Sequence, residues 1–176
     1  KIGTIADLIN YRILNEKTVE KIEQKSVKTE YGKFNLILYK DLIFDETHLV
    51  LQKGKISKNS PTLVRVQQSN FFHDLLNINE FGARWSVSDS MKKINEVGKG
   101  IILLIDGENH KQDEFNEINA SKKRRITVPN NDPRRIGIGS QILRDLGVKK
   151  IKLMGSEVRY PSLSGFDLEV TEYIKK

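Results

Sequence analysis

The sequence predicts a mixed α/β, or α+β, fold: a β-rich first half followed by helix–strand units. Three observations carry this. Short apolar runs rich in β-branched residues, broken by polar turns, recur through residues 17–67. Two later stretches, 86–97 and 136–146, place apolar residues at helical spacing and end at a glycine, each with a short apolar run after it. Strands gathered first, with helix and strand alternating afterwards, suit packed layers rather than a helical bundle.

Taken in order, residues 4–15 read as a helix, with Thr4 and Asp7 as a weak capping box and Ile5, Leu8, Ile9, Tyr11 and Ile13 as its apolar face. Residues 17–55 read as antiparallel strands, the clearest at 34–39 and 48–51, turned at Tyr31-Gly32-Lys33 and Lys53-Gly54-Lys55. Pro61 precedes a further strand at 62–67. A helix at 86–97 carries Val87, Met91, Ile94 and Val97 on one stripe, Gly98 closes it, and a strand at 101–105 follows. Residues 106–131 are polar and charged, with weak helical content at 113–121, and hold too few apolar side chains to offset the entropy of being fixed. Loose packing and fast hydrogen exchange are expected there. Ile138, Ile142, Leu143 and Leu146 make 136–146 amphipathic, and Gly147 stops it. A strand at 148–154, a turn region rich in Gly, Ser and Pro, and a last strand at 168–173 complete the chain.

At 176 residues the chain is long enough for one domain with a core. Its 30 Lys and Arg against 23 Asp and Glu give a net charge of +7, which favours anionic partners. The lysines are scattered and no aromatics interleave with them, so a solvated basic surface is expected and no nucleic acid. The cluster Lys122-Lys123-Arg124-Arg125 reads as a solvated loop. No apolar run approaches the roughly 20 residues of a membrane span, so no membrane partner is expected. The absence of cysteine excludes disulfides and thiolate metal sites and fits the cytoplasm. Lys1 stands where an initiator Met would, as in a piece of a longer protein. His48, His73 and His110 sit at no metal-ligand spacing and read as ordinary surface or core residues. Gly137-x-Gly139 lacks the third glycine and the Lys-Ser/Thr of a phosphate-cradling loop, and no Gly-x-Ser-x-Gly elbow occurs.

Asp132-Pro133-Arg134-Arg135-Ile136-Gly137-Ile138-Gly139-Ser140-Gln141-Ile142-Leu143-Arg144-Asp145-Leu146-Gly147-Val148, continued to Met154, is a long, ungapped block. It resembles the nucleotide-binding segment of the GTP cyclohydrolase II family, which opens the guanine ring of GTP at the start of riboflavin synthesis. Leu63-Val64-Arg65-Val66 and residues 86–105 resemble two further blocks of that family, in the same order. The opening, from Ile2 to Arg12, resembles the last helix of dihydroxybutanone-phosphate synthase, the domain fused upstream in bifunctional riboflavin enzymes. The resemblance thus implies that residues 1–16 are the tail helix of an upstream synthase domain or a linker, and 17–176 a GTP cyclohydrolase II-like domain.

The family holds a catalytic zinc with three cysteines. Here Gln67-Gln68-Ser69-Asn70 replace its His-Ser-Glu-Cys, and the ligand positions fall on Asn70, Phe81 and Ala83. None is an ordinary zinc ligand, so the family zinc, and any other cofactor, is expected to be absent. Phe81 and Trp85 are expected to be largely buried in the space it leaves. The nucleotide-wrapping glycine loop is replaced by residues 106–111, and the guanine-recognition turn by Gly155-Ser156-Glu157-Val158. Asp132 and Arg134 match the acid and the arginine that the family uses at the α-phosphate, and Arg65 and Arg135 would add charge for phosphates. The plainer reading makes Asp132 a helix cap and Arg134 a surface ion-pair partner.

The resemblance and the departures together imply a riboflavin-biosynthesis domain that has lost ring opening. It would serve a structural or regulatory role for the fused synthase. Alternatives are a residual hydrolase acting at the α-phosphate of GTP with pyrophosphate release, and a basic nucleotide-binding module. GTP or pyrophosphate would bind weakly, near Arg134, and the protein would be a cytoplasmic homodimer.

Overall fold

The computed structural model describes residues 11–12, 16–68, 74, 84–105, 133–158 and 161–176. Its strands are β1 (Val19–Thr29), β2 (Gly32–Asp41), β3 (Thr47–Lys53), β4 (Thr62–Gln68), β5 (Gly100–Ile105), β6 (Lys150–Met154) and β7 (Glu169–Ile174), and its helices α1 (Val87–Val97) and α2 (Pro133–Asp145). The strands form one seven-stranded sheet in the order β1-β2-β3-β5-β4-β6-β7. β1, β2, β3 and β5 pair antiparallel, whereas β4 is parallel to both β5 and β6, and β6 to β7. The expected α+β class is observed.

Side-chain alternation along the strands divides the core between the two faces of the sheet. One cluster joins Ile37, Tyr39, Val50, Val64, Ile101, Leu103 and Ile105 to Ile138, Ile142 and Leu143 of α2. The other joins Phe34, Leu51, Leu63, Ile102 and Met154 to Met91 and Ile94 of α1. Covered on both sides, β5 needs apolar residues at every position, and Gly100-Ile101-Ile102-Leu103-Leu104-Ile105 supplies them. Each such side chain, fully buried, stabilises the fold by about 1.5–3 kcal/mol.

Ser86 caps α1, its hydroxyl accepting from Asp89 N at 3.1 Å. Gly98 closes the helix in the left-handed region, φ 79°, its N–H donating to Ile94 O. Val97, expected on the buried stripe, is 54% exposed and is the last residue of the helix. The second helix begins at Pro133, three residues before the expected 136, since proline is compatible with the first helical turn. In the Gly/Ser/Pro-rich region, a 3-10 turn at Pro161–Phe166 drives Phe166 into the first cluster.

β1 is the element least visible in the sequence. Its residues are mostly charged or polar and exposed, because it is an edge strand bonded only to β2. Its entry is fixed by α2: Gln141 Oε1 accepts from Thr18 N at 2.8 Å, and Lys17 Nζ reaches Asp145 at 2.7 Å. The expected helix at 4–15 lies outside the described residues except for Tyr11 and Arg12, which are helical and exposed. Residues 106–131 and Phe81 also lie outside them.

Gly100 is where α1 meets the sheet. A Cβ there would come within 2.7 Å of Ile94 Cγ1 and 2.8 Å of Leu63 O, one of them a backbone atom that moves only with its strand. Gly100→Ala is expected to lower unfolding free energy by about 2–3 kcal/mol with an unchanged denaturant slope, read by urea denaturation.

Tyr39 is buried and its hydroxyl donates to Asp145 Oδ2 at 2.8 Å. Burial, then the bond to Asp145 and its charge, push the Tyr39 pKa well above the usual phenol range. Burial also pushes Asp145 up, but hydrogen bonds from Lys17 and Tyr39 outweigh it and hold the carboxylate below its usual range. Above pH ~10 the unfolded chain loses a phenolic proton that native Tyr39 keeps. This contribution to stability is therefore complete below pH ~10 and is lost as pH rises beyond it. Between about pH 9.5 and 11.5, wild-type stability should fall more steeply than that of Tyr39→Phe, by at most about 1.4 kcal/mol per pH unit. Equal slopes would overturn the assignment.

Candidate functional site

From β4 the chain passes through α1 on one face to β5; from β5 it returns, through α2 on the other face, to β6 on the far side of β4. Strand order thus reverses at β4, and ligands of open α/β sheets bind outside the carboxyl ends of the strands at such a reversal. Two polar constellations stand toward this edge among the described residues, one on each face.

On the α2 face, β2 ends at Asp41, the turn carries Phe44 and Glu46, and β3 opens with His48. Asp41 Oδ1 organises the turn, accepting from Ile43 N at 2.8 Å and Phe44 N at 3.3 Å. Asp41 N donates to Glu46 O at 2.8 Å and closes the hairpin. Asp41 and His48 point with Tyr39 and Val50 toward α2, and both are fully buried. Arg134, in the first turn of α2, meets this hairpin twice. Its Nη2 forms a salt bridge with Glu46 Oε2, and its guanidinium lies 3.4 Å from the Phe44 ring centroid. A side chain of each of Asp41, Glu46 and His48 offers a ligand atom, all within 4.8 Å of one another.

On the α1 face, Arg65 of β4 is bonded to three protein acceptors. Its Nε donates to Gln67 Oε1 at 2.9 Å, Nη1 to Met154 O at 2.8 Å and Nη2 to Trp85 O at 3.2 Å. Gln67 in turn donates to Asp74 at 2.9 Å, and Asp74 accepts from Val87 N at 3.1 Å. The arginine therefore ties the middle of β4 to the end of β6 and to the approach to α1.

The structure places Arg134 and Arg135 together in the first turn of α2, with Arg135 half-buried. It does not bring Arg65 to them, because Arg65 alternates with Val64 and Val66 and points to the opposite face. Asp132 and the family ligand positions Asn70, Phe81 and Ala83 lie outside the described residues. Trp85 is half-buried rather than enclosed: it packs on the α1-side core while its indole N–H donates to Ile174 O at 3.0 Å. Sequence reasoning passed over Asp41, Phe44 and Glu46, and read His48 as an ordinary residue because it paired it only with the other histidines. The usable signal was the spacing Asp-x4-Glu-x-His across a turn between two strands, which a hairpin folds into one cluster.

Arg65→Ala should remove three donors from buried or half-buried acceptors. A loss of about 2–4 kcal/mol is expected by chemical denaturation, with Arg65→Lys recovering less than half of it. A cost below about 0.5 kcal/mol would show that the bonds are not made in solution.

A family profile described as GTP cyclohydrolase II matches residues 20–175. The chain is similar to a 3,4-dihydroxy-2-butanone 4-phosphate synthase of Pseudomonas aeruginosa, 43% identical over 180 residues, covering 99% of this chain and 48% of that protein. It is also similar to the riboflavin biosynthesis protein RibBA of Aquifex aeolicus, 36% identical over 186 residues, covering 99% and 46%. Among solved structures it is similar to RibBX, a two-domain 3,4-dihydroxy-2-butanone 4-phosphate synthase from A. baumannii. That match has a TM-score of 0.68 and 39% identity, and covers 100% of this chain and 45% of the other. The chain spans about half the length of the curated relatives it matches. Among the described residues, no helix is long and apolar enough to cross a membrane.

Proposed function

This chain belongs to the GTP cyclohydrolase II family, and from that premise we propose that it serves riboflavin biosynthesis without the ring-opening reaction, as a structural or regulatory module of a dihydroxybutanone-phosphate synthase. The observation that carries this reading is the donor set. Opening the imidazole ring of GTP requires a water activated for attack at C8. Zinc supplies such a water by lowering its pKa to about 7. The chain contains no cysteine, and an amide, a phenyl ring and a methyl group at Asn70, Phe81 and Ala83 do not fit zinc. The family reaction has no route through these residues.

The engagement of the two arginines supports the same reading. Arg65 is bonded within the framework, and the charge of Arg134 is met by Glu46. The names of the relatives, synthases about twice the length of this chain, support a partnership with a synthase domain.

The retained Asp132–Arg134 pair favours a second reading. In it, water attacks the α-phosphorus of GTP, the bond to the β-phosphate oxygen breaks, and pyrophosphate leaves with GMP remaining. Arg134 would have to exchange Glu46 for the phosphate.

Incubation of the chain with GTP and Zn2+, followed by mass analysis, tests both readings. GTP is expected to persist unchanged. A ring-opened product would overturn the proposal, and GMP with pyrophosphate would establish the second reading in its place. The supporting role is read by assaying the synthase with and without this module: equal activity and equal thermal stability would overturn it.

A further inference from the structure

The geometry points to a divalent-cation site, unrelated to the family zinc, formed by Asp41, Glu46 and His48 at the β2–β3 hairpin. It is independent of the reading above, because it uses none of the positions 70, 81 and 83. Each ligand is placed by the fold. Asp41 is the last residue of β2 and His48 the second of β3, and the Tyr39–His48 register of the hairpin sets them on the same face of the sheet. Glu46, in the turn, closes the third side.

The state of Asp41 argues for an ion. This carboxylate is 1% exposed, and while Oδ1 accepts two backbone N–H groups, the buried Oδ2 has no hydrogen-bond partner among the described residues. A buried carboxylate oxygen with no donor is costly, and it belongs to a group whose ligand atoms lie within 4.8 Å of two others. The ligand set points the same way: two carboxylates, Asp41 and Glu46, gather beside one imidazole, His48, with Glu46 also bridged by Arg134.

The surrounding bonds are those of an outer coordination shell. Ligating carboxylates are themselves held by hydrogen bonds. Ile43 N and Phe44 N hold one oxygen of Asp41, and Arg134, itself stacked on Phe44, holds one oxygen of Glu46. Arg134 is thus an orienting partner of Glu46, bridged to its Oε2. One imidazole nitrogen with two carboxylate oxygens suits Zn2+ or Mn2+, and three protein ligands leave positions for water. Bonds of about 2.0–2.1 Å place tetrahedral ligand atoms roughly 3.3 Å apart, so the group would draw together on binding. Glu46, on the turn, is the ligand best placed to move.

The test uses the 176-residue chain, stripped with chelator and dialysed into metal-free buffer. Titration with Zn2+ and with Mn2+ by calorimetry is expected to show one saturable site per chain. The bound Mn2+ should carry nitrogen hyperfine coupling in its electron paramagnetic resonance, lost in His48→Gln. Asp41→Asn and Glu46→Gln, each verified as folded by circular dichroism, should weaken binding at least about ten-fold. Since Asp41 also shapes the turn, Glu46→Gln keeps the test open if Asp41→Asn does not fold. No saturable binding below millimolar metal, or binding that survives Glu46→Gln and His48→Gln unchanged, would overturn the site.

Discussion

Both cores converge on β5. Ile101, Leu103 and Ile105 belong to the cluster under α2, and Ile102 to the cluster under α1. The same strand joins the antiparallel half of the sheet, through β3, to the parallel half, through β4. A strand in this position is hydrogen-bonded on both edges and dry on both faces, so any polar side chain on it would be buried unpaired. The glycines beside it follow from the same constraint. Gly100 has no room for a Cβ beneath Ile94, and a Cβ on Gly139 of α2 would stand 3.2 Å from Ile105 Cδ1. The two helices approach this one strand closely from opposite sides, and the sheet's carboxyl edge is positioned as a result.

That edge carries charge which is largely spoken for. A guanidinium serves a phosphate only when the phosphate outcompetes the partners already holding it, and here those partners are built into the framework. Arg65 ends in two main-chain carbonyls and a glutamine amide. Arg134 ends on a carboxylate and an aromatic face. The negative charge at this edge, from Asp41 and Glu46, lies on the α2 face, so the polar chemistry there inclines toward cations as much as toward anions. A chain with net charge +7 would not suggest this, because net charge says nothing about where a hairpin gathers its carboxylates.

Much of the fold was legible in the residues. The apolar periodicity of α1 and α2, the glycine stops at Gly98 and Gly147, and the continuous apolar run of β5 each state a local preference that the tertiary structure keeps. Val97 and β1 were not legible, for related reasons. Val97 fits the helical stripe, but it is the last residue of the helix and stands exposed. β1 carries few apolar residues because an edge strand draws its stability from its pairing with β2, and its entry at Lys17 and Thr18 is held by Asp145 and Gln141 of α2, contacts more than 100 residues apart in sequence.

By itself the sequence determined the class of fold, the family to which its long ungapped block belongs, and the absence of thiolate ligands. These depend on residue type and local spacing alone. Only the tertiary structure decided that Arg65 and Arg134 part to opposite faces of the sheet, and that Asp41, Glu46 and His48 meet. Strand alternation fixes the face of every side chain, and hairpin register fixes which distant side chains share it. Neither is set until the strands have paired, so the same histidine that looks unattached along the chain lies buried among carboxylates in the fold.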